Sequence, residues 1–380
     1  MKMKKLLCMV LASVCLIGCA STKEKEEVST NGQGQSQEKG YDLPVDEKEK
    51  KQGEQDLKKI IESGGQDPGK LLETATKSGA PGILAGVAAN MVNYEKADEF
   101  LKNAKSTQKG EIQIYQIKDD GRVIRNQFTF DGEEMFLLYM SARKEDNGQI
   151  VFGETSYTKV EQWRYTDKGW FAYELCAPEW PKVTEVVEST SMIQIRPVDE
   201  RYLKIENQYL RPVGYKGNNL FLAQWQQKDM DNLDYIGIFD TFYQMIYKTS
   251  VDNEKFQNGV PAKEFESVIQ RFLSVSTEEL RKSRYYRGDG TYLWQAYGVG
   301  NHVGNEVTGA IPKIVDMREN EDGTYTLAIE SVNETSGEDC VFSHELTVRF
   351  LEDGGIIYVS NHLTGWGKYT EPGYQYRVGE

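Results

Sequence analysis

The apolar positions of this chain change period along its length, and each period predicts a different kind of element. A largely apolar run at residues 6–17 is followed, from 20 to 51, by Lys, Glu, Ser, Gly and Gln with hardly an apolar side chain. Leu57, Ile60 and Ile61 then recur at helical spacing up to Gly64-Gly65. Asp67-Pro68 supplies an N-cap and a proline at the first helical position, so a short helix through Leu71 and Leu72 is expected next. Residues 80–92 are almost wholly apolar. These thirteen residues fall short of the about 20 that cross a bilayer, so the stretch reads as a buried core helix. At 94–104, Ala97, Phe100 and Leu101 share one helical face.

After Gly110 the period drops to two. Residues 111–117 and 123–130 alternate around the turn Asp119-Asp120-Gly121. Strands at 135–142, 151–165 and 170–176 follow, joined at Asn147-Gly148 and Lys168-Gly169. Short connections carrying Gly, Asn or Asp suit the positive φ of hairpin turns, so this unit reads as an antiparallel meander on the preceding helices. Past a break at Ala177-Pro178-Glu179-Trp180-Pro181, a strand at 192–198 returns and 201–214 reads as a connector. A strand is then expected at 220–225 and helices at 236–248, after Pro261 and after the capping box Ser276-Thr277-Glu278-Glu279. Strands at 292–297, 311–318, 325–332, 342–350 and 356–361 close the chain. The expected class is α+β in two domains, 52–200 and 201–380, each built of short helices followed by an antiparallel β-meander sheet. That element order resembles the nuclear-transport-factor-like and cystatin-like folds, which implies no activity.

The first apolar run has a specific grammar. Lys2, Lys4 and Lys5 precede it, Leu16-Ile17-Gly18-Cys19-Ala20 closes it, and the charged residues 23–27 follow almost at once. It inserts in a membrane but is too short to stay as a span, so cleavage is expected. The order Leu, Ile, Gly, Cys resembles the lipobox of bacterial lipoproteins, in which small residues admit the processing enzymes and the cysteine thiol receives a diacylglycerol. The resemblance implies a signal peptide at 1–18, acylation of Cys19, and a location on the extracytoplasmic face of the cell membrane through a lipid anchor. Residues 19–51, too polar to offset their ordering entropy, are expected to form a disordered tether with a reach of about 30 Å.

Charge and cysteine usage narrow the partners. Loss of the three leader lysines takes the formal charge from −14 to −17. An acidic body is repelled by phosphates and anionic headgroups, which excludes nucleic acid as an expected partner. Of five cysteines, Cys8 and Cys15 leave with the leader and Cys19 is committed to lipid; Cys176 and Cys340 either form one disulfide or remain packed thiols.

Reactive constellations are not legible. His302, His344 and His362 are the three histidines, and neither HxH nor HExxH occurs, so no metal site is expected. The glycines at 298–304 lack the spacing and the following lysine of phosphate loops. Asp229-Met-Asp-Asn-Leu-Asp234 lacks the glycine and distal glutamate of a calcium loop, and reads as a turn capping the next helix. No Gly-x-Ser-x-Gly elbow is present, and no cofactor is expected. Aromatic residues are the remaining clue, with 22 tyrosines and six tryptophans. Tyr286, Trp294 and Tyr297 cluster in sequence beside the glycine-rich stretch and are the candidate ligand-binding residues, for stacking on sugar rings or peptides; period-two core packing is the competing reading.

The stretch 209–361, especially residues 214–222 and 272–280, is similar to uncharacterised lipoproteins of clostridia-type Gram-positive bacteria, a resemblance that implies no assigned activity. The expected function is a membrane-anchored cell-surface lipoprotein that binds or scaffolds a glycan or peptide without catalysis. The alternatives are an extracellular glycan- or wall-acting hydrolase and the solute-binding subunit of an importer.

Overall fold

The computed structural model describes residues 40–41, 43–177, 190–298 and 305–378. The leader, Cys19, nearly all of the expected tether, His302 and most of the glycine-rich stretch lie outside them. The described chain is a mixture of helix and sheet in which antiparallel pairing dominates and the sheet is curled.

Order begins earlier than the polar composition predicts. Helix α1 spans Glu47–Gly64, beginning ten residues before the apolar spacing that starts at Leu57, and Tyr41 before it is buried. The physical reason is local. Asp46 caps the helix by accepting from the Lys48 and Glu49 amides, and Glu47 and Glu49 sit favourably in the first turn. The apolar stripe Leu57, Ile60 and Ile61 then holds the far end on the sheet, so a polar first half is carried along. Asp67 caps α2 (Pro68–Thr76) as its sequence predicts. Residues 80–92 are a correction: they form strand β1 (Gly82–Leu84) and a loop, not a helix. Pro81, together with Gly82 and Gly86, weakens the helix. Gly82 lies so close to α2 that a Cβ would stand 2.6 Å from the Thr76 methyl, while β1 pairs in parallel with β2.

Helix α3 (Tyr94–Lys105) and strands β2 (Gly110–Ile117), β3 (Val123–Phe130), β4 (Met135–Lys144), β5 (Ile150–Tyr165), β6 (Trp170–Leu175) and β7 (Thr190–Gln194) follow. They make a seven-stranded sheet in the order β1 to β7, antiparallel except at β1. Alternate residues serve opposite faces: Ile114, Phe128 and Phe171 meet Phe100 and Leu101 of α3, whereas Tyr115, Ile117 and Met140 meet α1 and α2. A register shift at Val160/Gln162 gives β5 its expected bend.

Helix α4 (Glu200–Ile205) runs into a π-helical turn at Glu206–Leu210, in place of a plain connector. The expected strand at 220–225 shrinks to β8 (Trp225–Gln226). Buried Asn218 and Asn219 supply the partners that a neighbouring strand would give. Asn218 Oδ1 accepts from the Leu220 amide and Asn219 Oδ1 from that of Asp234. Helix α5 (Tyr235–Tyr247), short strand β9 (Val260–Pro261) and helices α6 (Ala262–Gln270) and α7 (Thr277–Lys282, with its capping box) come next. The strand predicted at 292–297 is only β10 (Thr291–Tyr292), since Trp294 turns inward onto Phe239 and Phe256. After the single turn α8 (Asn305–Thr308), strands β11 (Ile311–Glu319), β12 (Tyr325–Val332), β13 (Ser343–Phe350) and β14 (Ile356–Leu363) form a second sheet, in the order β11-β12-β13-β14-β8. The apolar faces of α5 and α6 lie on it.

Candidate functional site

The two sheets meet along a cleft, and the residues that join them are mostly polar. A small apolar plug of Trp170, Ala172, Met192 and Val332, with Ile311 against it, is the hydrophobic part of the joint. Two amide clamps flank it. Asn207 donates to the Ala88 carbonyl at 2.7 Å and accepts from the Ala88 amide at 2.8 Å, and Asn90 makes the same pair of bonds with Val198 at 3.0 and 2.9 Å. Arg211 adds a bond to the Gly86 carbonyl. The loop that sequence pattern assigned to a core helix is thus the bracket between the sheets, its backbone read by side chains more than 100 positions away.

A buried ion pair stands behind this bracket. Glu206, in the π-helical turn, is fully buried; one carboxylate oxygen accepts from Lys313 Nζ at 2.6 Å and the other from the Ile314 amide at 2.8 Å. The second bond caps an amide on the outer edge of β11, which otherwise has no strand beside it. Burying two charges is costly unless both are well bonded, and here each is.

Three recesses open around the plug. The largest, about 300 Å³, is lined by Gln162, Arg164, Glu174, Thr190 and the hairpin tip Ser336–Glu338. Arg164 donates to the Gly337 carbonyl across it, and Ser336 Oγ is buried with no hydrogen-bond partner. A second of about 280 Å³ has Trp170, Tyr202, Val315 and Val332 as an apolar floor, with the Lys168–Glu330 pair (2.7 Å) on its rim. The third, about 50 Å³, brings Glu334, Arg211 and Lys313 together.

The sequence-predicted aromatic residues lie elsewhere. Tyr286 and Trp294 are the two ends of a ladder in the second core: Tyr286 meets Tyr292, Tyr292 stacks on Phe265, Phe265 on Phe239, and Phe239 meets Trp294 edge-on. Trp294 Nε1 is occupied by Asn253. Tyr297 stands apart, exposed beneath Lys216 and Arg377. None of the three lines the recesses above. Sequence pattern gives no sign of the clamps, because single asparagines carry no periodic signal.

The histidines are likewise separated in role. His344 and His362 lie on neighbouring strands, but His362 pairs with Glu345 in the register while His344 is buried. Cys176 and Cys340 are free thiols, and burial pushes the Cys340 thiol up to about 11, away from the reactive thiolate form. Among the described residues no group of three or more His, Cys, Asp or Glu side chains is arranged to hold a metal, and no helix is long and apolar enough to cross a membrane. A family model described as a family of unknown function (DUF6070) matches residues 55–377. No curated protein and no solved structure matches the chain.

Proposed function

The chain belongs to that family of unknown function, DUF6070, and from this premise we propose that it is a lipid-anchored protein of the extracytoplasmic face that binds or scaffolds a glycan or peptide without catalysis. The observation that carries the reading is the Leu16-Ile17-Gly18-Cys19 leader, followed by a polar stretch and then an ordered body. A diacylated cysteine bearing a further acyl chain such as palmitate holds a protein on a membrane without a transmembrane helix. The bracketed joint supports a scaffold more than an importer subunit, since an importer closes on solute by hinge motion and the Asn207–Ala88 pair with the Arg211–Gly86 bond resists that. We read each sheet with its helices as one domain, and the helices-then-meander order as the arrangement of nuclear-transport-factor-like and cystatin-like folds.

The test is metabolic. Cells expressing the chain and fed an alkyne-tagged fatty acid should incorporate the tag into it, and Cys19→Ser should abolish incorporation. Equal labelling of the two forms, or none in the parent, contradicts the reading.

A further inference from the structure

Trp366 is the most exposed large apolar side chain among the described residues, at 75 %, yet its backbone is tied to a neighbouring segment. Its carbonyl accepts from Ser343 Oγ at 2.8 Å. On one side the Thr364 amide donates to the Ser343 carbonyl; on the other, Lys368 and Tyr369 donate to the carbonyls of Cys340 and Val341. Gly365 and Gly367 flank the tryptophan at φ +74° and +112°, and a Cβ on Gly367 would stand 2.8 Å from the Phe342 Cα. The Gly-Trp-Gly tip is therefore tied to the 340–343 segment through its backbone while the indole stands in solvent. A disordered loop would present the same ring at an entropic cost on binding; this one has already met most of it.

The residues that follow Trp366 in the chain have acidic partners. Glu306 accepts from Lys368 and from the Tyr369 hydroxyl, both at 2.9 Å, and Glu338 lies 4.0 Å from Lys368. Glu338 is also on the hairpin that walls the largest recess, so the tryptophan loop and the Gln162, Arg164 and Glu174 surface share one support. A protein hot spot needs an apolar patch and a water-excluding surround, and a membrane anchor needs neighbours free of carboxylates. Exposed aromatic side chains at Trp366 and Tyr369, with Lys368 between them held by Glu306, instead suit a ring with an apolar face and hydroxyl edges.

We propose that Trp366 is a stacking platform for a neutral sugar ring of an extracellular glycan, with the Gln162, Arg164 and Glu174 recess receiving the adjoining residues of the chain. This rests on the extracytoplasmic reading above. Detergent-solubilised full-length protein is to be tested for retention on insoluble cellulose, chitin and purified peptidoglycan, and for retardation in gels containing xyloglucan. The expected result is binding to at least one, an affinity about tenfold lower for Trp366→Ala, and near-parental affinity for Trp366→Phe, with all three unfolding at the same temperature. Absence of binding to all four polymers, or equal binding by Trp366→Ala, overturns the proposal. The fatty-acid label on Cys19 is read independently, so failure on glycans with a labelled Cys19 removes the platform and leaves the anchor standing.

Discussion

Arg377→Ala is expected to cost about 3–5 kcal/mol of folding stability, read as a lower urea midpoint at unchanged slope. Arg377 is 3 % exposed, near the end of a segment that returns over α5. Nη1 meets Asp240 Oδ2 at 2.8 Å, while Nε and Nη2 both donate to the Gly217 carbonyl, at 3.1 and 2.9 Å. Its backbone amide and the Tyr374 hydroxyl donate to Asp234 Oδ2, and the other Asp234 oxygen caps α5. Truncation removes the partner of Asp240 and leaves a carboxylate and a carbonyl desolvated, which is the costly way to break a buried pair. Asp240→Asn in the Arg377→Ala background should therefore recover part of the loss, because it withdraws the stranded charge. A loss below about 1 kcal/mol, or no recovery, would show that this strap is peripheral.

The second large effect is a dependence on pH. His344 is 1 % exposed, stacked on Phe221 and Phe342. Asn361 spends its amide protons on the carbonyls of Phe221 and Ala223, so its Oδ1 accepts from His344 Nδ1 at 2.6 Å. Nε2 is then an acceptor for the Tyr215 hydroxyl at 3.1 Å. The two bonds set the proton of the neutral ring on Nδ1, and burial, against the opposing pull of Asn361, holds the imidazole down at about 4. In the unfolded chain the ring titrates near 6.5, so between these values the unfolded state binds the extra proton. Stability is full above about pH 6.5, falls as pH drops toward 4, and loses roughly 3 kcal/mol across that window. Asp98 acts lower. Burial raises its carboxyl, but Lys102, Tyr165 and Arg196 outweigh that and hold it at about 2, so its contribution fades only between 3.8 and 2. His344→Gln should flatten the loss between pH 6.5 and 4 and leave the lower limb unchanged. A variant as steep as the parent would contradict the assignment.

What was legible in the sequence follows from which interactions are local. Capping residues Asp67 and Ser276, the helical stripes of α3, α5 and α6, and the alternating strands with Asp-Gly turns all carry their instruction within a few positions. The structure bears out each of these elements to within a few residues. Residues 80–92 failed because their conformation is decided from afar, by β2 and Asn207, and 220–225 because Asn218 turns the chain locally at the Leu220 amide while Asn219 ties it to Asp234. Composition alone misplaced the start of order, since the Asp46 cap outweighed a polar run. At the candidate site the same rule applies. The Asn–backbone clamps, the Glu206–Lys313 pair and the pinned Trp366 are long-range, and the aromatic cluster at Tyr286 and Trp294 was contiguous in sequence yet serves the core ladder.

Mass spectrometry of the amino-terminal fragment from the membrane fraction bears most directly on the surface-anchor account. A peptide beginning at Cys19 and carrying a thioether-linked diacylglycerol is the predicted result. A fragment that retains Met1 and the leader, or a soluble form cut elsewhere and free of lipid, would contradict it.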